Sequence, residues 1–355
     1  MDRPSPRRSS AVVATAVGLL LVSALPTLGQ ERTLTLMTHD SFYLPAAVIE
    51  NFEAAHEVDV RLLPAGDAGA MVNQAILTAD RPLADVLYGI DNAFLSRALE
   101  ADLFEPWQSA ALEFVPAELQ LDPEHRVTPI DYADVCLNLD REAFADGALT
   151  VPTSLEDLAD PALAGQLVVE NPATSSPGLA FLLATIAHFG EDPETGWTAF
   201  WTDLRDNDVT VTSGWQEAYY GSFSGGTGEG DRPIVVSYAS SPAAEVIYGS
   251  DPTSDESPTL AIEAGCFRQI EFAGILRGTD EPELAGALID HLLGVEVQAE
   301  LPLAMFVYPA RSEVALPGVF EQHALVPTAP LSLDPATIDA GREAWIREWT
   351  DIVLR

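Results

Sequence analysis

Two stretches of the chain place flat aromatic rings where a strand gives way to a helix. Val209 to Tyr220 reads VTVTSGWQEAYY: a short strand, a glycine, then a tryptophan opening a helix that carries two tyrosines. Val235 to Pro242 reads VVSYASSP: an apolar strand, an aromatic at its end, a hydroxyl-rich turn. Rings placed at such turns suit the walls of a slot for a flat ligand, because offset stacking and cation–π contact both use the ring face. Trp215 and Tyr238 are the principal candidates. Tyr219 lies at i+4 from Trp215 and shares its helix face. Core packing is the competing role for each of these rings.

Other chemistry is excluded or unsupported. The chain has 17 basic residues, all arginine, so a Schiff-base or P-loop lysine is ruled out. His39, His56, His125, His188, His291 and His323 show no metal-ligand spacing with one another or with cysteine. No G-x-S-x-G elbow occurs. With 55 carboxylates in the chain, a pair close in sequence carries little information. The glycine-rich SGGTGEG of 224–230 runs into a strand, so it reads as a hairpin rather than a phosphate cradle. Aromatics, hydroxyls and a few carboxylates in turns remain, which is the equipment of a binding site.

A formal net charge of −38 repels phosphate backbones and anionic lipid, so nucleic-acid and peripheral membrane binding are disfavoured. The acidity itself reads as a solvation or salt adaptation. Residues 1–29 read as a signal peptide: Arg3, Arg7 and Arg8 precede the apolar run Ala11 to Leu25, and Thr27 and Gly29 suit a cleavage site. No cysteine near that site offers a lipid anchor, and the mature chain is expected to be soluble and extracytoplasmic. Cys136 and Cys266, each in a strand-like run, read as a possible disulfide, with two buried free thiols as the alternative.

The elements that must position these residues alternate. Strands at Leu34 to Met37, Val58 to Leu63 and Ala84 to Ile90 are separated by helices at helical apolar spacing. This argues for a parallel α/β sheet covered on both faces, with ligand loops at the carboxyl ends of the strands. Those loops are 39–42, 65–68 and 91–92. Further strands are expected at 134–139, 166–169 and 268–276, and an amphipathic helix at Pro335 to Leu354.

The segments HDSF (39–42), ADVLYGIDN (84–92), NPATSSPGL (171–179), VTVTSGWQEAY (209–219), VVSYASSPA (235–243), FVYP (306–309) and REAWIREW (342–349) carry a family likeness. In them the chain resembles the periplasmic substrate-binding components of thiamine ABC transporters, along nearly the whole mature length. The resemblance implies a two-lobed type II periplasmic-binding-protein fold with the ligand in the cleft. Lobe 1 would comprise 30–136 and 265–308, lobe 2 would comprise 137–264, and 309–355 would form a C-terminal helical segment packing on both. It implies binding roles for Asp67 and Ala68, Ser175 and Ser176, Trp215, and Tyr238 with Ala239, Ser240 and Ser241; His39, Tyr219 and Tyr308 join them as further candidates. His39 stands where the family has tyrosine, Ala244 where some relatives have an aromatic, and Phe306 where they have tryptophan.

The implied protein is not an enzyme, needs no cofactor and metal-ligating residues are not assigned. It captures thiamine or its phosphates as a monomer and delivers the ligand to a membrane permease. Asp67 is expected to compensate the thiazolium charge or to accept from the 4-amino group. The alternatives are a same-fold protein for ferric iron, for which Tyr219-Tyr220 is a candidate pair, or for a polyamine. More remote is an exported thiamine-cleaving enzyme with a cysteine nucleophile.

Overall fold

The strands are short apolar runs of the kind buried on both faces of a sheet, such as LVVE at 167–170 and IVVSY at 234–238, whose interiors are wholly covered. In the computed structural model, which describes residues 1, 32–249 and 256–355, they join in one ten-stranded sheet. The strands are β1 (Arg32–Thr38), β2 (Val58–Pro64), β3 (Val86–Asp91), β4 (Phe104–Glu105), β5 (Thr128–Asp140), β6 (Leu167–Glu170), β7 (Thr210–Thr212), β8 (Ile234–Tyr238), β9 (Thr259–Leu276) and β10 (Tyr308–Pro309). The main order is β2-β1-β3-β9-β5-β8-β6-β7, with β10 beside β5 and β4 beside β9. The expected signal peptide lies outside the described residues apart from Met1.

The sheet is mixed, not parallel as the strand–helix alternation suggested. The flanks are parallel: β1 with β2 and β3, and β6 with β7 and β8. The centre is antiparallel, because β5 and β9 run against each other and against β3 and β8. Both central strands are longer than expected. The polar Glu263-Ala264-Gly265 interrupts the apolar pattern of β9, so only its second part is legible as a strand.

That interruption is structural. The β5/β9 ladder pairs Thr128–Val135 with Ala273–Phe267, breaks, and resumes with Leu137–Asp140 against Ile262–Thr259. At the break Cys136 and Cys266 are joined by a disulfide, buried with Ala239. Two halves of the sheet are thus connected by two continuous strands tied together where their pairing lapses. The C-terminal helix Pro335–Val353 touches both halves. Trp349 packs edge-on against Trp201 at 5.4 Å, and the buried Arg342 guanidinium donates to Ser96 Oγ at 3.1 Å. Among the described residues no helix is long and apolar enough to cross a membrane.

Candidate functional site

A cavity of about 550 Å³ opens between the two halves, within the size range of small-molecule sites. The first half supplies the turns after β1 and β2 (His39 to Ser41, Tyr43, Asp67, Ala68). The second half supplies Ser176, Trp215, Tyr219, Tyr220, Thr227, Tyr238, Ser241, Ala244, Glu245 and Tyr248. Glu271 on β9 and the segment Ala304 to Val307 complete the lining.

One wall is aromatic. Trp215 stacks on Tyr219, with ring centroids 5.1 Å apart and planes 22° apart, and meets Tyr220 edge-on at 5.4 Å. Tyr238 lies 6.2 Å from Trp215, tilted by 52°. The indole Nε1 donates to Ser237 Oγ at 2.8 Å, which fixes the ring against β8. The backbone after Trp215 widens into a π-turn at Glu217–Ser222, closed by Phe223 N donating to Ala218 O at 2.9 Å. Such single π-turns recur at functional sites. This one leaves Tyr219 buried beneath Trp215 and Tyr220 half-exposed.

The polar lining is acidic. Glu271 is 6% exposed and accepts from Gln269 Nε2 at 3.1 Å. His39 Nε2 stands 3.6 Å from its other oxygen. Burial by itself lowers the His39 imidazolium, but Glu271, Asp67 and Asp40 outweigh it and raise its pKa. Behind Glu271, burial and the Glu271 charge hold the Asp131 carboxyl well above the carboxylate range, and Tyr88 donates its hydroxyl to it. Glu245 accepts from Tyr219 Oη at 2.9 Å and Thr227 Oγ1 at 2.8 Å, while its second oxygen is buried without a partner. Beneath the cavity floor, burial raises Asp91 to about 6 and Glu170 well above its usual value. Asp40, Asp67, Glu245 and Glu271 line the cavity. Among its described lining residues there is no arginine, and the chain has no lysine.

Asp67 joins the two halves. It caps the helix Ala68–Leu77, with Oδ1 accepting from Ala68 N at 2.7 Å. The same oxygen accepts from Ser176 N at 3.2 Å, and Oδ2 accepts from Trp215 N at 3.0 Å. Ser176 begins the helix Ser176–Phe189, which sits so close to β6 that a Cβ on Gly178 would lie 2.5 Å from Glu170 O. Gln216 Nε2 adds a second crossing contact, donating to Asp40 O at 2.9 Å.

Of the positions expected from sequence, His39, Asp67, Ala68, Ser176, Trp215, Tyr219, Tyr238 and Ser241 come together around the cavity. Four do not line it. Ser175 is the wholly buried residue before the helix Ser176–Phe189. Ala239 packs against the disulfide. Ser240 donates its hydroxyl to the Phe306 carbonyl. Tyr308 stacks on Tyr132 at 5.3 Å and packs edge-on to Phe320. Sequence reasoning missed Glu245 and Glu271. Each is the lone acid in an apolar setting, within SPAAEVIY and within FRQIEFAGIL. A carboxylate that cannot avoid burial is a usable signal of a site.

Residues 81–328 match the family model described as bacterial extracellular solute-binding protein. The thiamine-binding periplasmic protein of Escherichia coli K12 is 30% identical over 342 residues, covering 95% of this chain and 98% of the relative. A solved periplasmic thiamin binding protein superposes with a TM-score of 0.79 at 28% identity, covering 92% of this chain and 97% of that one. Iron-bound HitA from Pseudomonas aeruginosa, at 20% identity and a TM-score of 0.70 over 90% of this chain and 99% of its own, shares the fold. A cleft between two sheet halves, lined for a small molecule and matched over nearly the full chain, places the protein in the bacterial extracellular solute-binding protein family.

Proposed function

We propose that the protein captures thiamine outside the cytoplasm and delivers it to the membrane permease of an ABC transporter. The observation that carries this reading is the pairing of an aromatic wall with four carboxylates and no arginine in one cavity. Thiamine is a flat aminopyrimidine joined to a thiazolium whose charge cannot be lost by deprotonation. Burying such a cation requires compensation, which Glu271 and Glu245 supply, and ring faces, which Trp215 and Tyr238 supply. The relative named for thiamine matches over 98% of its own length, which supports the same ligand class here.

The two halves close on the ligand, and it stabilises the closed form only as far as it contacts both. Thiamine is cargo and no cofactor is required. The protein acts as a monomer in the periplasm and is not an enzyme. Cys136 and Cys266 are bonded to each other away from the cavity, so neither is a free thiolate to attack thiamine. Against ferric iron, Tyr219 donates its hydroxyl to Glu245, and among the described residues no cluster of His, Cys, Asp or Glu is arranged for a metal. Calorimetry on the mature chain tests the reading. Saturable 1:1 binding of thiamine is expected; no saturable binding of thiamine or its phosphates overturns it.

A further inference from the structure

Resting on the thiamine reading, the His39–Glu271 pair bears on how the site responds to a cation. His39 is the one basic residue among the described residues lining the cavity. Its ring is wedged over Gly89, whose φ of 96° and missing side chain make the room; a Cβ there would collide with His39 Cδ2. The buried Nε2 has no hydrogen-bond partner and stands 3.6 Å from Glu271 Oε2. Glu271 Oε1 accepts from Gln269 Nε2 at 3.1 Å, so the carboxylate presents its other oxygen to the ring. The imidazole is thus fixed beside a carboxylate in a buried wall, where one charge acts strongly on the next.

The other ionisable groups around the pair are acids. Burial opposes the imidazolium, but Glu271, Asp67 from the turn after β2 and Asp40 from the same turn outweigh it and raise its pKa. Asp91 on β3 and Asp131 on β5 flank Glu271 in register. Burial, reinforced by the Glu271 charge, holds both carboxyls above the ordinary range. The Tyr88 ring on β3 lies 6.0 Å from the imidazole, and its hydroxyl donates to Asp131. We propose that His39 is a displaceable internal cation: it neutralises Glu271 and gives up its proton to the buffer when the thiazolium settles beside that carboxylate. A tyrosine at this position, as in the resembled family, stays neutral near pH 7 and has no such proton to lose. The sign follows. A fixed cation in the same cavity disfavours the imidazolium and lowers a pKa that the free protein raises. Thiamine therefore binds with proton release, and more tightly as pH rises through the window between the two values.

The test is calorimetric titration of the mature wild-type protein with thiamine in buffers of different ionisation enthalpy, repeated on H39Q. At about pH 7 the wild type is expected to release roughly half a proton or more per thiamine, and its Kd to fall roughly three- to tenfold between about pH 6.5 and 8.5. In H39Q the binding enthalpy no longer depends on the buffer, and Kd is flat over the same range. The other histidines do not line the cavity, so they supply no such proton. Imidazole NMR titration of the wild type reads the same event without a variant: one ring's midpoint drops when thiamine is added. Saturable binding with no proton released, with protons taken up, or with every imidazole midpoint unchanged overturns the inference and leaves thiamine as the ligand. So does a release that survives in H39Q. Absence of binding to the wild type overturns this inference and the thiamine reading together.

Discussion

Replacing Glu271 by glutamine removes one charge from the cavity, and with it the counter-charge of His39, while leaving the shape of the site. The side chain keeps its volume, and its remaining oxygen still accepts from Gln269 Nε2, now 3.1 Å away. For a ligand cation held about 6 Å from this carboxylate, an effective dielectric near 20 gives an attraction of about 3 kcal/mol, or about a hundredfold in Kd. The substitution also removes the repulsion between Glu271 and Asp131, whose carboxyl burial and Glu271 together hold well above its usual range. The substitution also gives up the attraction of Glu271 for His39, which opposes that gain, so stability is expected to stay near wild type while affinity falls. Thiamine titration calorimetry and thermal melts on E271Q read the two effects separately. A Kd within twofold of wild type, with an unchanged melt, would refute the assignment of Glu271 as counter-charge. Choline, a cation without the pyrimidine ring, should then show the same insensitivity.

Trp215→Ala removes the central ring of the wall and the indole N–H donated to Ser237 Oγ, which keeps its hydrogen bond with Ser241 Oγ. The lost stacking and cation–π contact amount to roughly 1–3 kcal/mol, about a fivefold to 150-fold weaker Kd by calorimetry. Burial raises Asp91 to about 6, above the ordinary value of an unfolded aspartate, so the folded state binds the proton more tightly. The sign follows: this contribution to stability is full below about pH 4 and is lost as pH rises through about 6. Asp91→Asn, which retains an oxygen for Ala93 N and Phe94 N, should match wild type near pH 4 and exceed it by up to about 2–3 kcal/mol at pH 7 in urea melts. A gap that is constant with pH would contradict that. Reducing Cys136–Cys266, which closes a separation of 130 residues, should cost about 2–4 kcal/mol of stability, measured as a lower urea midpoint in dithiothreitol.

The sequence by itself carried the local physics. Apolar runs of strand length, helices at their proper period, and aromatic rings at strand ends are written in neighbouring residues, and Trp215, Tyr219 and Tyr238 do meet in one wall. Their order along the chain also carried the family likeness. The sequence did not carry what depends on distant segments. The long antiparallel centre of the sheet was obscured by the polar break in β9, because strand pairing between residues over a hundred positions apart leaves no local period. Among 55 carboxylates, nothing nearby in sequence distinguishes Glu245 and Glu271; only burial beside one cavity does. Asp67 shows the division most plainly. Its place as a helix cap is local, read from a turn before an apolar helix. That its second oxygen is held by an amide 148 residues further along was decided by the tertiary structure, since hydrogen bonds across a cleft exist only once both halves have folded and met.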